Sequence, residues 1–204
     1  MIKISMKILI ISGPTGSGKT TLSRNICKKT KNSIILSTDN YYKTGKLSNL
    51  FSKFIDSYFD RKISLNHGLL KKDINFIIEN GISEHTYSYD FCNKTIKKSE
   101  EIKTSIKLLI VEGIFSMEFL KNKSNIKPFF IELKTNKTDC MNRAIDRDIK
   151  ERGKTKEIAK RDFLKSWDLY HKKNKKSKND LYELGYSTST ELNFLLQKLN
   201  IINT

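Results

Sequence analysis

The sequence predicts an α/β protein built on a parallel sheet with helices on both faces. Four unbroken apolar runs support this class, at residues 7–12, 33–37, 108–111 and 129–133. Strands of a parallel sheet are buried on both faces, so they appear as continuous apolar runs rather than as alternating patterns. The segments between the runs are long enough for helices, and this alternation is typical of α/β folds.

The first run ends in a glycine-rich turn, and the residues from there to residue 30 contain no glycine or proline, which predicts strand, loop and helix. The turn at residues 13–20 matches G-x-x-x-x-G-K-[ST], a phosphate-binding loop in its required context. Its backbone N–H groups would cradle phosphates, Lys19 would reach the β and γ phosphates, and Thr20 would hold Mg²⁺. The residues expected to contact ATP are Gly13, Pro14, Thr15, Gly16, Ser17, Gly18, Lys19, Thr20 and Thr21. The fold class is thus of the P-loop NTPase type.

About 70 residues separate the second and third runs, too many for a simple crossover. Residues 67–80 carry apolar side chains at helical spacing closed by Gly81, and residues 83–91 suit a strand or loop. We therefore expect an inserted, acceptor-binding module over about residues 41–105.

Residues 138–173 are rich in alternating charge and predict two helices hinged near Gly153. Arg147 and Arg152 lie about one and a half helical turns apart beside this hinge, which suits a lid over about residues 143–165. Guanidinium groups there would stabilise a transferring phosphoryl group and exclude water. Leucines on one face of residues 188–199 predict a closing helix.

Two carboxylates complete the predicted phosphoryl-transfer site. Asp39 and Glu112 each follow a predicted parallel strand, at the sheet edge where open α/β sheets bind ligands. One carboxylate can accept the proton of an attacking hydroxyl, while the other orders the water shell of the metal ion.

Composition restricts the remaining possibilities. The chain has 204 residues, two prolines and nine glycines, which favours one domain spanning residues 1–204. Its net charge of +17 would suit nucleic acid or polyphosphate, but only six basic residues are arginine, and abundant lysine with isoleucine and asparagine reflects A- and T-rich codons. We therefore expect no nucleic-acid partner.

The cysteines and the apolar runs indicate a compartment. Cys27, Cys92 and Cys140 are far apart and form no C-x-x-C pair, so neither a disulfide scaffold nor a zinc site is predicted. No run approaches the roughly 20 apolar residues of a membrane span. We expect a cytoplasmic protein without a membrane partner.

Six segments in order resemble the uridine kinases of the uridine kinase and phosphoribulokinase group. The likeness runs from about residue 7 to residue 170, and its segments are residues 13–20, 37–42, 58–60, 89–91, 110–114 and 147–154. The resemblance implies an ATP-dependent kinase that phosphorylates the 5′-hydroxyl of uridine or cytidine in pyrimidine salvage. It also implies a homo-oligomer.

The resemblance assigns roles to single residues. It implies that Asp39 is the base for the 5′-hydroxyl, that Thr20, Asp39 and Glu112 surround Mg²⁺, and that Arg147 and Arg152 grip ATP. On the acceptor side, the residues implied are Asp60 for the ribose hydroxyls and Tyr42, Tyr89 and Phe91 for the nucleoside pocket.

Three positions depart from the residues usual in uridine kinases. The chain has Lys94 for histidine, and Ala144 and Lys154 for two arginines. Lys94 and Lys154 remain expected substrate contacts, but lysine is a cation without acceptor capacity and lacks the bidentate guanidinium fork. The acceptor therefore stays open among uridine, cytidine and the substrates of phosphoribulokinase, pantothenate kinase and nicotinamide riboside kinase. A nucleic-acid-binding NTPase and a ligand-binding protein without transferase activity are the alternatives from other classes.

Overall fold

A five-stranded parallel sheet forms the centre of the computed structural model, which describes residues 6–55, 57–118, 128–173, 181–184 and 196–197. The strand order is β2-β5-β1-β6-β7, and β3 and β4 form a separate antiparallel hairpin. The strands are β1 (Lys7–Ser12), β2 (Ser33–Ser37), β3 (Thr86–Asp90), β4 (Thr95–Ser99), β5 (Leu108–Glu112), β6 (Phe129–Leu133) and β7 (Leu181–Leu184). The four strands predicted from apolar runs are confirmed.

Helices cover both faces of the sheet, as predicted. The α-helices are α1 (Lys19–Lys29), α2 (Lys46–Phe54), α3 (His67–Asn80), α4 (Lys137–Arg152) and α5 (Lys156–Lys173). Alternate side chains of β1 point to opposite faces: Ile10 packs with Ile74 of α3, whereas Ile11 packs with Ile26 of α1. This double burial explains why the central strands contain almost no polar residues.

The segment between β2 and β5 has structure of its own. The helix predicted at residues 67–80 is α3, which Asn66 caps by accepting a hydrogen bond from the Leu69 N–H, and Gly81 ends it at a positive φ of 66°. The segment at residues 83–91 contains β3, which pairs with β4. The acceptor-binding role of this module stays a prediction.

The hinge near Gly153 is confirmed, because α4 ends at Arg152 and α5 begins at Lys156. Cys140 and Ala144 of α4 pack against Phe163 of α5, so the two helices lie against each other beside the phosphate loop. The closing helix predicted at residues 188–199 lies outside the described residues, except for residues 196–197. Within the described part of the chain, no helix is long and apolar enough to cross a membrane.

Candidate active site

The phosphate loop connects the end of β1 to the start of α1. Gly16 and Gly18 have positive φ angles of 78° and 94°, which glycine adopts without strain. A Cβ at Gly16 would overlap the backbone carbonyl of Cys140, so this position also needs glycine because α4 approaches closely. The Ser17 N–H donates to the Pro14 carbonyl at 3.1 Å, which tightens the turn.

Lys19 is the first residue of α1, and its side chain is buried at the centre of the site. Its Nζ donates to the Pro14 carbonyl at 2.9 Å. Burial lowers the pKa of Lys19, while the carboxylates of Glu112 and Asp39 act in the opposite direction. The ammonium group therefore lies within the field of both acids.

The two predicted carboxylates lie at the same edge of the sheet. Glu112 ends β5, and its Oε1 accepts a hydrogen bond from Thr20 Oγ1 at 3.1 Å. Asp39 follows β2, and its Oδ1 accepts from the Tyr42 hydroxyl at 3.3 Å. Burial, followed by the charge of Asp39, raises the pKa of Glu112. Two acids that disfavour each other's ionisation are a site where a cation binds well.

A cavity of about 590 Å³ opens beside these groups, a volume typical of small-molecule sites. The predicted nucleotide, catalytic and metal residues on its wall are Thr15, Gly16, Gly18, Lys19, Thr20, Thr21, Asp39, Glu112, Arg147 and Arg152. The predicted acceptor residues on its wall are Tyr42, Asp60, Phe91, Lys94 and Lys154. Gly13, Pro14 and Ser17 belong to the loop without lining the cavity.

Aromatic rings form the acceptor side of the cavity. Tyr42 is central: its ring centroid lies 5.2 Å from Phe59, 5.1 Å from Tyr89 and 6.0 Å from Phe91, all in edge-on contacts. Tyr89 is buried behind this wall and does not line the cavity, so the structure does not bring it to the ligand surface as the resemblance implied. Phe59, which was not predicted, does line the cavity.

The lid residues converge on one buried carboxylate, Asp148. Its Oδ1 lies 2.7 Å from Arg147 Nη2 and 3.2 Å from Arg152 Nη1, and its Oδ2 lies 2.9 Å from Lys154 Nζ. Burial opposes ionisation, but Arg152 and Arg147 outweigh it and hold the pKa of Asp148 below its usual range. Arg152 also stacks over the Phe91 ring, with its Cζ 3.7 Å from the centroid. One carboxylate thus holds three cations at the cavity mouth.

Comparison with known proteins assigns this arrangement to a family. The model of the Phosphoribulokinase / Uridine kinase family matches residues 8–179. The chain belongs to this family. It is therefore a P-loop kinase, a phosphotransferase that uses ATP and a hydroxyl group of a small molecule as acceptor.

Individual members and solved structures agree with the family assignment. The chain is 32% identical to a uridine kinase of Borrelia duttonii over 164 residues, which is 79% of this chain and 76% of the relative. It is 30% identical to a uridine kinase of Staphylococcus haemolyticus over 161 residues, 77% of this chain and 75% of the relative. The D-glycerate 3-kinase of Cryptococcus neoformans has the same fold, with a TM-score of 0.59, 13% identity and coverage of 89% of this chain and 87% of that one.

The three departures from the residues usual in uridine kinases have defined surroundings. Lys94 donates to Ser52 Oγ at 3.1 Å, and Lys154 Nζ lies 3.1 Å from Asp162 Oδ2. Ala144 is buried against α5, so an arginine there would disturb the contact between the lid helices. Arg143, the residue before it, lies on the cavity wall and supplies a guanidinium from the neighbouring position.

Asp148 and Ser166 are the polar side chains that sequence reasoning did not assign. Asp148 belongs to a segment that carries the resemblance, so its position beside Arg147 was the available signal. Ser166 lies on α5 and donates to Asp60 Oδ1 at 2.8 Å across 106 residues of sequence. No local pattern marks a serine whose partner is so distant in the chain.

Proposed function

We propose that this kinase transfers the γ-phosphoryl group of ATP to the 5′-hydroxyl of uridine or cytidine. The observation that carries the proposal is the position of Asp39. Its carboxylate bonds to Tyr42 of the aromatic wall and lies in the field of Lys19 of the phosphate loop. A base between a phosphate-binding loop and an aromatic pocket suits an acceptor with a flat base and a primary hydroxyl.

The nucleotide side of the proposal rests on the loop and on Lys19. Residues 13–21 would bind the triphosphate through backbone N–H groups, and Lys19 would neutralise charge on the β and γ phosphates. This electrostatic stabilisation is stronger in a partly buried cavity than in water.

The residues at the sheet edge fit Mg²⁺. Thr20, Asp39 and Glu112 offer one hydroxyl and two carboxylates, and the described residues contain no larger cluster of metal-binding side chains. Mg²⁺ characteristically takes one or two carboxylates together with substrate phosphates and water. When bound, the ion would supply positive charge to the phosphate oxygens.

The acceptor side requires a base and an anchor. Asp39 would take the proton from the attacking 5′-oxygen as that oxygen bonds to the γ phosphorus and the bond to the β-phosphate oxygen breaks. Asp60 would accept hydrogen bonds from the ribose hydroxyls, while Tyr42 and Phe91 would contact the nucleoside. Lys94 and Lys154 would donate to it.

Arg152 is expected to contribute to rate rather than to folding. Arg152→Ala should lower kcat by about 100-fold or more, because a guanidinium no longer faces the transferring phosphoryl group. The unfolding free energy should change by about 1 kcal/mol or less, since Asp148 keeps Arg147 and Lys154 as partners. Lys150→Ala, an exposed change on the same helix, is the matched control, and an unchanged kcat/KM in Arg152→Ala would remove Arg152 from the mechanism.

Asp60 is expected to give the reaction an acid limb. Burial is the main cause that raises its pKa from 3.8 to about 6. Protonation removes an acceptor for the ribose hydroxyls, so kcat/KM for the nucleoside should fall as the pH drops through about 6. Rate profiles between pH 5 and 8 measure this, and a flat profile would contradict the role of Asp60.

The same raised pKa has a consequence for stability. The folded state binds the Asp60 proton more tightly than the unfolded state does, so this contribution is present below about pH 4 and is lost as the pH rises through about 6. Asp60→Asn should therefore raise the melting temperature above pH 7, by up to about 2 kcal/mol of unfolding free energy. The gain should shrink toward pH 4.5, and a constant difference would contradict the ionisation of a buried Asp60.

An acceptor panel tests the proposed function. ADP release is measured with MgATP and, separately, uridine, cytidine, nicotinamide riboside, pantothenate and ribulose 5-phosphate. We expect the two pyrimidine nucleosides to give the highest kcat/KM. Release driven by another acceptor would replace the proposed substrate, and stimulation by added RNA alone would favour a nucleic-acid-dependent NTPase.

A further inference from the structure

Two hydrogen bonds join the phosphate loop to the acceptor side of the cavity. Ser166 Oγ lies 2.8 Å from Asp60 Oδ1 and 3.1 Å from Thr15 Oγ1. Thr15 belongs to the phosphate loop, Asp60 to the module between β2 and β5, and Ser166 to α5. Ser166 is 5% exposed, so its hydroxyl is satisfied by these side chains rather than by bulk water. A single buried hydroxyl therefore connects three parts of the site.

The chemistry of the groups fixes the direction of both hydrogen bonds. An ionised carboxylate only accepts, so the Ser166 hydroxyl donates its one hydrogen to Asp60. The Thr15 hydroxyl must then donate to Ser166 Oγ. This arrangement occupies Oδ1 of Asp60 and leaves Oδ2 to accept a hydroxyl of the acceptor.

Several charges act on Asp60, but Ser166 is the group that bonds to it directly. Asp39 disfavours the ionised form of Asp60, and Lys154 and Arg152 favour it through space. These charges set how readily the carboxyl ionises, whereas a hydrogen bond at 2.8 Å sets where its oxygens point. Orientation of the carboxylate thus depends on α5.

We propose that Ser166 is a positioning residue that aims Asp60 at the ribose hydroxyls and ties this orientation to the phosphate loop through Thr15. The inference rests on the proposed function, since it requires Asp60 to hold the acceptor. Binding of nucleotide at the loop and binding of nucleoside at Asp60 then affect each other through Ser166. Linkage requires that the effect is the same in both directions.

Steady-state kinetics with uridine test this role. Ser166→Ala should raise the KM for uridine by about 10-fold, because a hydrogen bond to a charged group is lost, while kcat changes by less than about threefold. The uridine KM of wild type should differ between low and saturating MgATP, and this difference should shrink in Ser166→Ala. Ser166→Thr, which keeps a hydroxyl, should recover part of the affinity. Lys160→Ala, an exposed change on α5, is the matched control.

Different outcomes separate this inference from the proposed function. A lower melting temperature in Ser166→Ala with an unchanged uridine KM would reduce Ser166 to a structural residue and overturn the inference alone. If Ser166→Ala does not fold, Thr15→Val interrupts the same connection from the loop and should also raise the uridine KM, and an unchanged value would again overturn the inference. No transfer to uridine or cytidine by wild type would overturn the proposed function and this inference together.

Discussion

Asp39→Asn is expected to lower kcat by about 10²- to 10⁴-fold, the range that general-base catalysis contributes. The amide keeps the size of the side chain and an oxygen that can accept from the Tyr42 hydroxyl, which lies 3.3 Å from Asp39 Oδ1 in the structure. It cannot take the proton of the attacking hydroxyl. Turnover of uridine under saturating MgATP measures the loss, and the affinity for ATP should change far less than kcat.

The control for this change is Asp146→Asn, which alters an exposed aspartate of α4. It should leave kcat and the melting temperature close to those of wild type. Turnover near the wild-type value in Asp39→Asn would remove Asp39 from the mechanism, and with it the observation on which the acceptor proposal rests.

Lys19→Met is expected to lower kcat/KM for ATP by about 10²- to 10³-fold, comparable to loss of a preorganised charge-stabilising donor. Methionine keeps the length of the buried side chain but removes the ammonium group that lies in the field of Glu112 and Asp39. Folding should persist, because burial lowers the pKa of Lys19 and so opposes its charge in the folded state.

Titration of each variant with ATP separates binding from turnover in this experiment. Lys28→Ala, an exposed change at the end of α1, is the control and should bind ATP as wild type does. Wild-type ATP affinity and wild-type turnover in Lys19→Met would contradict the assignment of residues 13–20 as the nucleotide site.

The sequence predicted the parts of the fold that local patterns specify. The four apolar runs became neighbouring strands because burial on both faces leaves no polar positions in them. Helix α2 was not predicted: Leu47 and Phe54 are exposed, so its apolar residues do not mark a buried face. Strand β4 was also missed, since its sequence TIKKS is mostly exposed and is held by pairing with β3.

The candidate site divides in the same way. The phosphate loop could be predicted because its motif is continuous, and Asp39 and Glu112 could be placed because parallel strands end at one sheet edge. Asp148 and Ser166 could not be assigned, because their roles arise when the lid helices fold against the loop and the inserted module. Tyr89 was expected at the ligand surface, but its aromatic type suits a buried position behind Tyr42 equally well.

Phosphorus NMR of a reaction with MgATP and uridine tests the central claim most directly. Transfer to the 5′-hydroxyl predicts a new monophosphate resonance coupled to the 5′ protons of the ribose, formed in equal amount with ADP. Release of inorganic phosphate without this product, or a phosphate attached at the 2′ or 3′ oxygen, would contradict the account.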